Sequence, residues 1–278
     1  MPKLATVLRA WMMLFLLMAN TTVATAQPTQ AGRLFDTMRM ADIIKIMHLE
    51  GLIYGKDLDT DWLSGQGGAS WERTVGLIYH EETMIETMRR IFEANLKDVD
   101  VEPLITFFET PTGQTVLGLE SSAREAFLDE TLEDFAKERF TSMEQSGDPR
   151  VDQVKALVSD NDYVDRNVVG ALNANYAFFE GLVSTLGSRA GQARDMLSNV
   201  WAQEPEIRES TTEWLHAYLY MSYQPLDEDQ LKAYNDILLT DAGRAATTAM
   251  FEGYDSMYVE ISRALGRELG LRLSQVDL

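Results

Sequence analysis

Thr110-Pro111-Thr112-Gly113-Gln114 is the stretch that decides the fold, and it returns 130 positions later as Thr240-Asp241-Ala242-Gly243-Arg244. Each stretch reads as a break between two helices. A threonine hydroxyl can accept from an orphan backbone N–H of the turn that follows it. Pro111 suits the first helical position, where a missing N–H costs nothing, and it pushes Thr110 out of the helical region. Asp241 serves the same start differently, because an acid in the first turn complements the helix dipole. Gly113 and Gly243 fall inside the new first turn, where the lack of a Cβ allows another backbone to approach closely.

The same offset holds outward from the junction without a gap. Glu50-Gly51-Leu52 matches Glu180-Gly181-Leu182, Trp71 matches Trp201, and Leu96 matches Leu226. Val101, Leu104 and Phe108 match Leu231, Tyr234 and Leu238. Val116, Leu119, Ala123 and Phe127 match Ala246, Ala249, Gly253 and Met257. Steps of three and four give a helix with one buried face. Proline is scarce before residue 148, and no hairpin signal separates alternating runs. The expectation is an all-α chain of two tandem, internally duplicated helical bundles, at 34–140 and 164–270. Residues 141–163, polar and carrying Gly147 and Pro149, are expected to connect them, with a short helix near Val151–Val158. The repeat is too long for an ordinary helical solenoid, so two packed bundles are expected, which either fold separately or pair about a pseudo-twofold axis.

The first junction, Phe107-Phe108-Glu109-Thr110-Pro111-Thr112-Gly113-Gln114, resembles the bacterial family called domain of unknown function 2059. In the second copy Leu239 stands for the acid and Asp241 for the proline, so that copy is the divergent one. The resemblance implies an exported helical protein and implies no reaction.

Residues 1–26 read as a secretory signal peptide. Lys3 and Arg9 precede an apolar stretch from Ala10 to Met18, and Ala24-Thr25-Ala26 is a cleavage site before Gln27. Periplasmic localisation in a Gram-negative envelope is therefore expected. No later segment approaches the length of apolar sequence that spans a bilayer, so no stable membrane insertion is expected after cleavage. Loss of Lys3 and Arg9 takes the formal charge from −20 to −22. Such a surface repels nucleic-acid phosphates. The chain has no cysteine, which excludes disulfides and thiol catalysis.

Candidate chemistry is sparse. Asp57-Leu58-Asp59-Thr60-Asp61 opens like a calcium loop, but Trp62 and Gly68 stand where that loop needs glycine and glutamate, so a polar loop between helices is expected. Glu213 and His216 have the Glu-x-x-His spacing of di-iron bundles, which need it twice. Glu50 and Glu180 hold equivalent positions and could meet across the axis as an acid–base pair. The methionines that remain after the signal read as flexible core filler. No catalytic, cofactor or metal residue is assigned on these grounds. The expected function is a non-catalytic binding or interaction module, with a small apolar or peptide ligand, or an envelope protein, as partner. The groove between the copies would be lined by Trp71 and Trp201. The alternative is a carboxylate-based hydrolase or metal-dependent enzyme built on Glu50 and Glu180 or on Glu213 and His216.

Overall fold

The computed structural model describes residues 29–187 and 191–275. The expected signal peptide, residues 1–26, and its cleavage site lie outside the described residues. Every described element is helical, and no strand occurs among the described residues. The first half runs through α1 (Gln30–Thr37), α2 (Met40–Leu63), α3 (Gly68–Ile78), α4 (Glu81–Asn95), α5 (Glu102–Phe108), α6 (Pro111–Ala126) and α7 (Glu130–Ser146). Next comes α8 (Pro149–Asp160). The second half runs through α9 (Tyr163–Leu186), α10 (Gly191–Ser198), a 3-10 turn (Val200–Gln203), α11 (Glu204–Tyr223), α12 (Glu228–Leu238) and α13 (Asp241–Gln275).

The two junctions share one geometry. Thr110 Oγ1 accepts from Gly113 N at 3.1 Å and donates to the Phe107 carbonyl at 2.6 Å. Thr240 Oγ1 accepts from Gly243 N at 3.1 Å and donates to the Ile237 carbonyl at 2.7 Å. A Cβ on Gly113 would lie 2.3 Å from the Phe107 carbonyl oxygen, and one on Gly243 2.3 Å from that of Ile237. Both glycines are fixed by the end of the preceding helix pressing on the start of the next.

Beyond the junctions the halves part company. In the first, Phe127, Leu128 and Asp129 break the helix, and the Asp129 side chain caps α7 by accepting from Thr131 N at 2.9 Å. In the second, α13 runs straight through the corresponding positions for 35 residues. It lies alongside α9, with both chains running in the same direction, from Asn173–Asp255 to Thr185–Arg267. Small residues permit the approach. A Cβ on Gly266 would lie 1.9 Å from the Phe178 carbonyl oxygen, and one on Gly181 2.2 Å from that of Arg263.

The halves then cover each other. α4 of the first packs on α13 of the second, with the Met88 sulfur filling the space over Gly253. α11 of the second packs on α6 and α7 of the first, where the His216 ring stacks on Phe140 at 5.1 Å. One continuous apolar core includes Phe35, Phe92 and Phe108 with Tyr223, Leu265 and Leu269. The segment 141–163 is more than a connection. Its first residues complete α7, Gly147 ends that helix at a φ of 73°, and Asp148 caps α8. Val151, Val154, Leu157 and Val158 of α8 are buried in the same core.

Gly266→Ala is expected to cost about 1–3 kcal/mol or more through overpacking. Gly118→Ala, where an added Cβ meets nothing within 4 Å, is expected to stabilise by about 0.5–1 kcal/mol. Denaturant unfolding followed by circular dichroism checks both, and equal effects would remove the close-crossing account of α9 and α13.

Candidate functional site: a cavity between the halves

A half-open cavity of about 810 Å³ lies at the seam. That lies within the range of roughly 300–1,000 Å³ common for small-molecule sites. Its walls come from α2, α5, α6, α9, α11, α12 and α13. Many lining residues fall in pairs 130 apart: Met40 and Gly170, Leu104 and Tyr234, Phe108 and Leu238, Leu117 and Thr247, Glu120 and Met250, Ser121 and Phe251, Arg124 and Tyr254. The cavity therefore takes corresponding positions from each half and sits where they face one another. The chemistry of the pairs is unequal. On α6 the wall carries Glu120, Ser121 and Arg124, and the matching positions of α13 carry Met250, Phe251 and Tyr254. At these three pairs the α6 member is polar or charged and the α13 member apolar or aromatic.

Glu120 anchors the ionisable side. Its carboxylate accepts from the Tyr234 hydroxyl at 2.9 Å and from the Tyr223 hydroxyl at a shorter distance, and its backbone carbonyl accepts from the Tyr218 hydroxyl at 2.9 Å. The side chain keeps some accessible surface because it faces the cavity, while protein surrounds it on its other sides. Burial pushes the Glu120 carboxyl above its ordinary value of 4.5, and the two tyrosine hydrogen bonds offset part of that push. Burial, reinforced by the Glu120 charge, raises Tyr223 and Tyr234 well above 10.0, so both remain protonated donors.

Arg124, one helical turn from Glu120, turns its charge elsewhere. Its Nε and Nη2 donate to the two oxygens of Glu50 at 2.9 and 2.8 Å. Burial opposes the Arg124 charge, but the Glu50 carboxylate outweighs it and holds the guanidinium above its ordinary range. Tyr254 and Tyr258 complete this wall, and burial raises the Tyr254 hydroxyl to about 12.

The residues singled out from sequence lie elsewhere. Glu50 and Glu180 do not meet. Glu50 pairs with Arg124, and Glu180 pairs with Arg263 at 2.9 Å, because α13 continues where α6 has ended. Glu213 is exposed on α11. His216 stacks on Phe140, and burial followed by the Lys155 charge lowers its pKa, with Glu144 acting in the opposite sense. Among the described residues no three His, Asp or Glu side chains gather as metal ligands. Asp57–Asp61 is not a loop but the last turns of α2, and Asp59 accepts from Gly67 N at 2.7 Å to close the Ser64–Gly67 loop. Neither expected tryptophan lines the cavity. Trp71 is buried beside α2, with its Nε1 donating to the Gly55 carbonyl at 2.6 Å, whereas Trp201 is 57% exposed and stacks on Tyr176. The tryptophan in the wall is Trp214, which stacks on Tyr218 at 4.8 Å. The methionine expectation is refined: Met38, Met40, Met47 and Met250 all face the cavity.

Residues 82–140 match a bacterial family described as "Uncharacterized protein conserved in bacteria (DUF2059)". The match spans α4 to α7 and includes the first junction, Glu120 and Arg124. No curated protein and no solved structure matches the chain. No described helix is long and apolar enough to cross a membrane.

Glu120 imposes a pH signature on stability. With its folded pKa raised, the folded state carries no penalty below 4.5 and loses stability as pH rises from there through the raised value. Glu120→Gln is therefore expected to unfold at higher denaturant than the wild type at pH 8. The gap should shrink towards zero as pH approaches 4. A gap that is flat with pH would show that Glu120 is not held in this way.

Proposed function

We propose that this is an exported, non-catalytic binding module, and that its ligand is a small, largely apolar molecule held in the cavity between two halves descended from one duplicated bundle. The observation that carries the reading is the cavity itself: a large space walled by methionine, leucine and aromatic side chains, with a few convergent polar groups, set on the seam. Methionine suits such a wall because its unbranched, polarisable side chain adapts to irregular apolar shapes. The 130-residue pairing of the lining residues and the shared junction geometry support the duplication. Support for export comes from the sequence of residues 1–26 and its Ala24-Thr25-Ala26 cleavage site. The surviving acidic surface favours solubility after cleavage. The version of the enzyme reading built on Glu50 and Glu180 loses its motive, because each of these glutamates pairs with a different arginine.

Two measurements test this. The neutral fluorophore N-phenyl-1-naphthylamine is expected to brighten on binding the wild type. Ala174→Phe, which places a ring into the cavity from α9, should weaken that binding at least about tenfold with little change in thermal unfolding. A wild type that leaves the fluorophore dark would remove the binding reading. For export, the protein released from the periplasm of a Gram-negative host is expected to begin at Gln27, and a mass that still includes residues 1–26 would count against it.

A further inference from the structure

The proposed cavity ligand has an open question of charge, and Arg166 bears on it. Arg166 lines the cavity from the first turn of α9. Among the described residues its guanidinium makes no ion pair, and its Nε is buried without a hydrogen-bond partner. Its planar group lies over the Phe251 ring at 5.6 Å. The other charged groups of the wall are engaged. Arg124 is bound to Glu50, Asp165 to Arg208 at 2.6 Å, Glu252 to Asn95 at 2.7 Å, and Asp255 to Asn173 at 3.0 Å. Glu120 is held by two tyrosines.

A carboxyl group can meet burial by taking up a proton, as Glu120 is pushed to do. A guanidinium cannot, because it stays charged at any ordinary pH. Of the charged groups facing the cavity, Arg166 is thus the one without a protein partner among the described residues: it is partly buried, and its Nε is fully so. Its near neighbour is a donor: Tyr163, one turn earlier, has a hydroxyl with no protein partner among the described residues, within electrostatic reach of both Arg166 and Glu120. Tyr254 and Tyr258 likewise present hydroxyls with no protein partner among the described residues. Donors without acceptors, next to an unpaired cation and an apolar chamber, define what is missing: an anionic acceptor carried on an apolar body.

We infer that the cavity takes an amphipathic anion, a molecule with a hydrocarbon or aromatic body and a single carboxylate-like head, and that Arg166 with the Tyr163 hydroxyl holds the head while the methionine and aromatic walls hold the body. This rests on the binding reading above and adds the sign and place of the ligand's charge. An aromatic cage for an ammonium group is the opposite assignment, with Glu120 as its counter-ion. It is disfavoured because Glu120 already has its hydrogen bonds and Arg166 lines the same cavity.

The test is displacement of N-phenyl-1-naphthylamine from the full mature chain by three probes with alkyl chains of nearly equal length and different head groups: dodecanoate, dodecanol and dodecyltrimethylammonium. Dodecanoate is expected to displace at a concentration at least about tenfold lower than dodecanol, with the ammonium probe weakest. In Arg166→Gln the advantage of dodecanoate over dodecanol should vanish while dodecanol is unchanged, and Arg166→Lys should restore part of it. Retained fluorophore binding by each variant reports an intact cavity. Equal displacement by dodecanoate and dodecanol, a preference for the ammonium probe, or a dodecanoate advantage that survives Arg166→Gln would overturn the assignment and leave the cavity reading standing. Loss of all fluorophore binding in the wild type would remove both.

Discussion

Everything in this fold depends on the reciprocal cover between the two halves. α4 cannot bury Met88 and Phe92 without α13, and α11 cannot bury Leu215 and Tyr218 without α6 and α7. Neither half carries a complete core, since the one large cluster draws on both. Apolar burial of this kind is non-directional and scales with area, so it fixes that the halves must meet, but not how tightly. The tightness is set locally by glycine. Gly181, Gly266 and Gly270 bring α9 and α13 into backbone contact, and Gly113 and Gly243 let each junction turn sharply. Close contact at these points leaves the chain spaced apart elsewhere, and the space between is the cavity.

The asymmetry of the site follows from one local difference. Where Phe127–Asp129 breaks the first half, α7 turns away to pack on α11. Where Met257–Val259 continues, α13 stays with α9. The middle of α2 is therefore left without the partner that α9 has. Leu52 is exposed there, with Leu49 and Ile53 beside it, while Leu182, which matches Leu52, is buried on α9. The break also decides the fate of the two equivalent glutamates. Glu50 reaches across to Arg124 near the end of α6, whereas Glu180 meets Arg263, which exists on α13 only because that helix goes on. A symmetric pair of acids was thus separated into two structural ion pairs.

The junctions and the all-helical class were legible because they rest on local chemistry: a threonine cap, a first-turn proline or acid, and stripes at helical spacing. Errors arose where local chemistry was ambiguous. Asp57–Asp61 looked like a loop because consecutive acids resemble turn residues, yet they lie at the end of α2, mostly exposed. Residues 141–163, expected to connect the halves with a short helix near Val151–Val158, do carry that helix as α8, and Gly147 and Pro149 mark a break before it. That break is a single C-cap followed at once by an N-cap, and the stripe Val151, Val154, Leu157 and Val158 was the signal of burial. Trp201 inherited an expectation from Trp71 by offset alone, although the segment before it had become a short helix and a 3-10 turn. The cavity could not be read, because Tyr163, Glu120 and Tyr234 meet only through tertiary packing. The one available hint was Glu120 itself, aligned with Met250 beside the apolar stripe of α6.

If the two halves descend from one bundle, as proposed, positions 130 apart began as the same residue on opposite sides of one seam, and a ligand there would at first have met the same group twice. Substitution at only one member of each pair then gives the space a direction without disturbing the seam. Glu120 opposite Met250, Ser121 opposite Phe251 and Arg124 opposite Tyr254 have that character. The cost of placing ionisable groups there is contained in two different ways. Glu120 is satisfied by tyrosines from the other half, and Arg124 by a glutamate from its own. Arg166 has neither remedy among the described residues: its guanidinium lies over the Phe251 ring with no ion pair and its Nε has no hydrogen-bond partner, and this is the group that the proposed ligand would complete.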